Sequence, residues 1–350
     1  MVCTIESPCK INLHLQIGEK RADSYHSLLS IFAALSLSDT LHFAEMSDEM
    51  GASQRSFERS HHFRSDRQKG DCHLSVNWLM PEEFIPCEGI PTEENLVFKA
   101  VSLFRQYTGY EQALDIRLDK RIPLGAGLGG GSSNAASALL ALNALCRRPL
   151  PPAGLSELGA QLGSDVPFFL NTGSSVSLVS GRGEIIKPLQ FPWCPKQHPA
   201  KQQTLSLVLV VPPFASCTKL AYRALDETRL SQTGSPIPRT ENLLCEILLI
   251  RGLQGGPETW PFFNDFLPVF LNGGNDEAEK KARVYAFILD ELKNLGASFA
   301  GLSGAGSACF GVFTIEENAK NAEKSLKNHC FYTKFTNFLA LLPKPMVKYS

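Results

Sequence analysis

Three features of this 350-residue sequence predict an α+β fold. Strand-like runs stand near both ends and in the middle: Ile11 to Ile17, Leu35 to Phe43, Leu205 to Val211 and Ala308 to Phe313. Helical segments lie among them, the plainest placing Val284, Phe287, Ile288, Leu292 and Leu295 on one apolar face. The two kinds of element do not alternate as regular strand–helix–strand units, and no internal repeat is present, so a parallel α/β sheet is not expected.

In chain order, the first two strand-like runs flank a loop containing Tyr25 and His26. Residues 46–72 are polar and nearly devoid of large aliphatics, which predicts an exposed or partly disordered excursion between strands. Asn95 to Tyr107 has helical character. Leu114 to Lys120 alternates apolar and charged residues, as a half-exposed antiparallel strand does. Ser132 to Leu145 is rich in alanine and leucine and predicts a helix with serine as its N-cap. Gly154 to Leu162 is a second short helix, and Val176 to Leu189 reads as a hairpin around Gly181-Arg-Gly183. Pro192 to Gln203 is a polar, proline-containing linker. Leu205 to Val211 then opens the second half as a buried strand. The late apolar helix stops at Gly296, and Ala308 to Phe313 is a closing strand.

A chain of this length can hold one large or two medium domains with ample core. Its net charge of −1 provides no basic field to draw it to nucleic acid or a membrane surface. No window approaches 18 continuous apolar residues, and the first residues lack the basic and apolar regions of a signal peptide. Neither a nucleic-acid nor a membrane partner is expected. Ten cysteines are scattered without a Cys-x-x-Cys pair, which predicts reduced thiols in a cytoplasmic protein. His61-His62 and Cys72-His73 lack a metal-ligand framework and read as surface loop.

The chemistry of the chain is concentrated in residues 123–134, Pro-Leu-Gly-Ala-Gly-Leu-Gly-Gly-Gly-Ser-Ser-Asn. A nearly bare backbone feeding a helix N-terminus offers N–H groups and the positive end of a helix dipole, a site for an anion and most often for phosphate. Gly125, Gly127 and Gly130 satisfy Gly-x-Gly-x-x-Gly, but the preceding strand alternates. About 20 residues beyond the loop, where a ribose-binding acid belongs, the chain reads Cys146-Arg-Arg-Pro-Leu-Pro-Pro152. A dinucleotide fold is therefore not indicated. The Gly-Lys-Ser/Thr of a P-loop is also missing.

From Pro123 through Ala136 the loop resembles the second motif of the GHMP kinases, ATP-dependent kinases of small molecules. Pro8-Cys-Lys-Ile-Asn-Leu13 resembles the first motif and Gly301-Leu-Ser-Gly-Ala-Gly-Ser-Ala-Cys-Phe310 the third, with Leu162-Gly-Ser-Asp-Val-Pro-Phe-Phe-Leu170 between them. Arg21-Ala-Asp-Ser-Tyr-His26 is similar to the branch acting on a cytidine diphosphate-linked methylerythritol. The resemblance implies a two-domain architecture with nucleotide and substrate between the domains. An N-terminal domain is expected over 1–195, with 46–72 as an insertion, and a C-terminal domain over 204–350. It also implies ATP and Mg²⁺, a small-molecule substrate, and a monomer or homodimer. The alternatives are a GHMP kinase for another small alcohol and a non-catalytic sensor of the same fold.

Lys10 and Asp165 correspond to the catalytic pair. A carboxylate can accept the proton of an alcohol as a phosphoryl group transfers, and an ammonium can position the hydroxyl and counter phosphate charge. Asp165 could equally be an N-cap for the turn at Val166-Pro167, and Lys10 a solvated strand residue. The resemblance places Pro123, Leu124, Gly125, Ala126, Gly127, Leu128, Gly129, Gly130, Gly131, Ser132 and Ser133 around the phosphates of ATP, with Ser132 or Ser133 able to offer Mg²⁺ a hydroxyl. Asn95 and Lys120 match positions near the nucleotide; otherwise one is a helix N-cap and the other an exposed strand residue. Asn12, Tyr25 and His26 match positions used for the cytidine end, where a ring can stack and an imidazole can read a base edge. Gly304 and Gly306 suit a close backbone approach. Three positions depart from the pattern. Cys9 replaces an alanine, Ser24 replaces a glycine where positive φ would be strained, and Leu267 replaces the glutamate of an Asn-Asp-Leu-Glu segment.

Overall fold

Strands β1 (Val2–Lys20) and β2 (His26–Met46) are far longer than the apolar runs that signal them, because they pair with each other antiparallel almost end to end. The computed structural model describes residues 1–46, 71–193, 204–231 and 243–349, apart from positions 88, 148, 172 and 274. Most of the expected 46–72 insertion and of the 192–203 linker, with His61 and His62, lie outside the described residues.

Two sheets are present among the described residues. The first adds to β1 and β2 the strands β3 (Cys72–Trp78) and β4 (Ala113–Lys120), in the order β1-β2-β4-β3. The hairpin β5 (Val176–Ser180) and β6 (Ile185–Pro188) joins β2 through β5. The second sheet contains β7 (Ser206–Val211), β8 (Phe299–Leu302), β9 (Cys309–Phe313) and β10 (Tyr332–Asn337), in the order β10-β7-β9-β8. The chain then returns across the expected division, and β11 (Met346–Lys348) pairs with the start of β1. The mixed, largely antiparallel sheets agree with an α+β fold. Cys72 and His73 prove to be strand residues rather than surface loop, and β3 runs parallel to β4.

Helices α1 (Leu96–Thr108), α2 (Gly130–Leu145), α3 (Pro152–Leu162) and α4 (Val166–Leu170) accompany the first sheet. Gly109, at φ 69°, caps α1. Helix α2 is buried nearly all round, which explains its run of alanines: small side chains let it lie between β1 and its helical neighbours. The second half contributes α5 (Thr218–Ser231), α6 (Leu243–Gln254), α7 (Phe266–Leu271), α8 (Asp276–Asn294) and α9 (Glu316–Lys327). Helix α8 buries Tyr285, Ile288 and Leu292, while Phe287 sits on the flank of that face, 39% exposed against His329. No described helix is long and apolar enough to cross a membrane.

Two corrections bear on the site. Helix α2 starts at Gly130, and its N-cap is Gly129 in the left-handed region (φ 66°), not Ser132. Gly130 has to be glycine on packing grounds, since a Cβ there would meet Ile122 Cγ2 at 2.9 Å and Lys120 Nζ at 3.0 Å. Lys120 is not an exposed strand residue either; it is 1% exposed and ion-paired with Asp39, itself fully buried. Burial pulls the Lys120 ammonium below its ordinary pKa, and the Asp39 charge opposes that pull.

Asp39 also accepts from the N–H groups of Arg121 (2.6 Å) and Ile122 (2.8 Å) and from Asn134 Nδ2 (2.9 Å). The acid thus ties β2 to the end of β4 and to α2. Asp39→Asn should leave the Lys120 charge uncompensated and cost about 3–5 kcal/mol in chemical denaturation. Adding Lys120→Met should recover a large part of that loss, because the buried charge is then removed. A double variant no more stable than the single would show that the pair is not the source of the penalty.

Candidate active site

The glycine loop is fixed by its carbonyls. The Gly125 oxygen accepts from Ser216 N at 3.1 Å, Ala126 from Ala308 N at 3.0 Å, Gly127 from Ser303 Oγ at 2.9 Å and Leu128 from Lys10 N at 2.9 Å. Four successive carbonyls are therefore held by β1, by the segment before α5 and by the β8–β9 turn. A trans peptide directs its N–H opposite to its C=O, so this docking leaves the amide protons of Ala126 to Gly129 uncommitted to those elements. With the start of α2 directly behind, the loop has the form of an anion cradle.

Gly125, Gly127 and Gly129 all have positive φ. At Gly127 a Cβ would also collide with the Ser303 carbonyl and approach Gly306 O at 3.0 Å. At Gly304 (φ 58°) it would meet Gly127 Cα at 3.3 Å. The second and third motifs thus pack backbone against backbone, which is the close approach their glycines suggest. Asn264, just before α7, reinforces this turn: its Nδ2 donates to Leu302 O (2.9 Å) and Gly304 O (2.8 Å). Its neighbour Asp265 accepts from Ile17 N at 2.8 Å and from Arg229 Nη2 at 3.2 Å. Leu267, where the resembling segment has an acid, is a partly buried packing residue.

Lys10 and Asp165 come together at this loop, with Lys10 Nζ 3.5 Å from Asp165 Oδ2. The lysine is not a solvated strand residue: its side chain is 5% exposed, over the Phe32 ring at 4.4 Å. Asn12 Oδ1 accepts from its Nζ at 2.6 Å, and Asn12 is held in turn by donating to Ser30 Oγ at 2.9 Å. Asn12 is thereby a neighbour of the Lys10–Asp165 pair as well as a substrate candidate. Asp165 precedes α4 but makes no side-chain cap bond there, so its carboxylate is available to the cleft. Its charge reaches Tyr222 on α5, whose hydroxyl is pushed up to about 12, first by burial and then by Asp165. Tyr222 stays neutral at ordinary pH.

The remaining predicted residues divide. Asn95 is the N-cap of α1, its side chain accepting from Val97 N at 3.0 Å. The adjoining Leu96 reaches the loop, lying 3.6 Å from where a Cβ on Gly131 would stand. Ser133 is buried and takes a bond from Ser7 Oγ at 2.9 Å, whereas Ser132 is partly exposed. Ser24 has φ 67°, the strained conformation expected of a residue in a glycine position. Tyr25 and His26 differ sharply: Tyr25 is 58% exposed, with Arg182 over its ring at 5.1 Å, while His26 is buried at the start of β2 and stacked on Tyr222. Asp39, Asn264, Asp265 and Tyr222 are site-supporting residues that the sequence does not single out, although the Asn-Asp segment drew notice for its missing acid.

Comparison with known proteins bears directly on this arrangement. The GHMP kinases N terminal domain matches residues 95–173 and the GHMP kinases C terminal domain residues 268–331. The 4-diphosphocytidyl-2-C-methyl-D-erythritol kinase of Thermodesulfovibrio yellowstonii is 33% identical over 325 residues, covering 93% of each chain. The chloroplastic enzyme of that name from Oryza sativa is 38% identical over 252 residues, 71% of this chain and 53% of the relative. A crystal structure of 4-(cytidine 5'-diphospho)-2C-methyl-D-erythritol kinase superposes with a TM-score of 0.68 at 28% identity, covering 96% of this chain and 98% of that one.

The packing of the two motifs gives a direct test. Gly127→Ala places a side chain at φ 75° against the Ser303 carbonyl and should cost about 1–3 kcal/mol of stability through local strain. ATP affinity, measured by calorimetry, should fall by roughly tenfold or more as the loop is displaced. Gly131→Ala, in the first turn of α2 where a Cβ would meet Leu96 Cδ1 at an ordinary contact distance of 3.6 Å, should melt within about 1 kcal/mol of the parent.

Proposed function

The chain belongs to the family of 4-diphosphocytidyl-2-C-methyl-D-erythritol kinases, and from that membership we propose that it transfers the γ-phosphoryl group of ATP to the 2-hydroxyl of 4-diphosphocytidyl-2-C-methyl-D-erythritol. The products are the 2-phosphate and ADP, a step in making isoprenoid precursors. The observation that carries the reading is the Lys10–Asp165 pair, 3.5 Å apart beside a glycine loop docked by four of its own carbonyls.

In this reading the loop and the first turn of α2 receive the ATP phosphates, with Asn95, Leu96 and Lys120 close behind them. Asp165 accepts the proton of the attacking hydroxyl. Lys10, held by Asn12, orients that hydroxyl and counters charge on the transferring group. Lys120 cannot serve as a free phosphate ligand while Asp39 holds its ammonium; its role is to set the floor of the loop.

Mg²⁺ in phosphoryl transfer is bound chiefly by substrate phosphates and one or two protein oxygens, so a dedicated acidic cage is not needed. No cluster of three metal-binding side chains occurs among the described residues. Ser132 fits the metal better than Ser133, whose hydroxyl is buried against Ser7. The ion would neutralise phosphate charge there. Cysteines scattered without a Cys-x-x-Cys pair fit the cytoplasmic setting proposed here.

Tyr25, exposed at the hairpin tip, and His26 would hold the cytidine end, remote from the transferred group. Two variants separate the ends of the site. Asp165→Asn should fold and bind ATP yet lose turnover by roughly 10²-fold or more. Asp165 makes no cap bond, so any fall in melting temperature reports only the lost 3.5 Å pair with the buried Lys10, and full activity would remove Asp165 from the mechanism. Tyr25→Ala should raise KM for the cytidine substrate about 5- to 150-fold, the range of one lost base stack, with ATP affinity unchanged. An unmutated protein that phosphorylates only a small free alcohol would overturn the substrate assignment.

A further inference from the structure

Helix α5 meets the β1–β2 hairpin through three residues spaced four and three apart, Tyr222, Asp226 and Arg229, which therefore share one helical face. Arg229 donates to the carbonyls of Ile17 (2.8 Å) and Gly18 (3.2 Å) and pairs with Asp265 at 3.2 Å. Asp226 Oδ1 lies 2.9 Å from His26 Nε2. The His26 imidazole lies nearly parallel to the Tyr222 ring, with centroids 5.1 Å apart and planes at 24°. At the entrance to the helix, Ser216 Oγ donates to Ala305 O at 2.5 Å and Ser216 N to Gly125 O of the glycine loop. The segment leading into α5 thus touches the phosphate loop, and the helix itself lies along the substrate hairpin.

We propose that Asp226 is a positioning residue for the cytidine end of the site, fixing the His26 imidazole through its Nε2 proton so that it lies flat against Tyr222. This rests on the substrate reading given above. A histidine whose one nitrogen donates to a carboxylate has its tautomer and ring plane set by that bond. The side chain of His26 is 6% exposed and that of Asp226 33%, so water competes weakly at the imidazole and the bond is charge-assisted. Without the carboxylate the ring is free to rotate about its χ2 and to exchange its proton between nitrogens. The His26–Tyr222 wall would then lose its single geometry. The Asp165 charge adds to the burial that raises the Tyr222 hydroxyl, so the wall stands within the field of the proposed base. Asp226 touches neither reactant in this account; it acts through His26.

The test compares Asp226→Leu, which removes acceptor and charge, with Asp226→Glu, which restores a carboxylate. In the Leu variant KM for the cytidine diphosphate substrate should rise about tenfold, the lower end of what a lost charged hydrogen bond costs. KM for ATP should stay within twofold, and the Glu variant should recover part of the loss. Nitrogen-15 NMR of histidine should find Nε2 of His26 protonated in the unmutated protein and a mixture of tautomers in the Leu variant. A proton on Nδ1 alone in the unmutated protein, or an unchanged substrate KM in the Leu variant, would overturn the proposal. So would an equal rise in both KM values with a lower melting temperature, since that is general damage to the helix. If the unmutated protein neither binds nor phosphorylates the cytidine diphosphate alcohol, the substrate reading itself falls and takes this role with it.

Discussion

The buried ion pair of Asp39 and Lys120 is the constraint on which the site depends. A carboxylate with no exposure is tolerable only when its charge and lone pairs are satisfied, and Asp39 takes four donors from β4, the segment that follows it, and α2. Two of those donors are the successive N–H groups of Arg121 and Ile122, so the chain leaves β4 in a direction set by the acid. The first loop glycine, Gly125, stands three residues after Ile122. Asn134 fixes the other end, since it donates both to Asp39 and to Ser7 Oγ, which itself bonds Ser133. One acid thus defines where the loop starts and where its helix stands.

Between those ends the loop is held by other parts of the chain rather than by itself. Its carbonyls are taken by Lys10, Ser216, Ser303 and Ala308, residues drawn from both sheets' surroundings. The loop conformation and the approach of the two halves are therefore one condition. Lys10 illustrates the economy of the arrangement: its N–H docks Leu128 while its Nζ faces Asp165, so the same residue seats the loop and carries the charge proposed to serve the chemistry.

What the sequence made legible follows from how local each constraint is. The glycine loop declares itself because positive φ at three alternate positions leaves no other residue type suitable. Its helix starts earlier than the serine signal indicates because Gly130 and Gly131 accept helical backbone where packing leaves no room for a side chain at Gly130. Asp39 is silent in sequence, since its side-chain partners lie 81 and 95 residues away. Lys120 was readable in part. The alternation that buries Leu114, Ile116 and Leu118 puts Lys120 on the same buried face, and only its charge argues for exposure. Phe287 fails for the converse reason: it is apolar and near the right phase, but the buried face is centred on Tyr285, Ile288 and Leu292.

Tyr25 and His26 are adjacent in sequence and belong to different environments, and that separation follows from the strand register. Lys20 pairs with His26, so the hairpin closes between them and leaves Arg21 to Tyr25 as its tip. Arg21 N donates to Tyr25 O at 2.7 Å, and Ser24 adopts positive φ to complete the turn. His26, the first paired residue, is held by β1 on one side and by α5 on the other. Tyr25, one residue outside the ladder, is 58% exposed and has Arg182 across its ring. In the proposed reading, a base stacking on Tyr25 meets a ring open to solvent, whereas one resting near His26 meets a surface held by Asp226 and Tyr222. The energetic weight of substrate recognition at this end is expected to fall on the ordered side of that boundary, since preorganised contacts do not lose side-chain entropy again on binding.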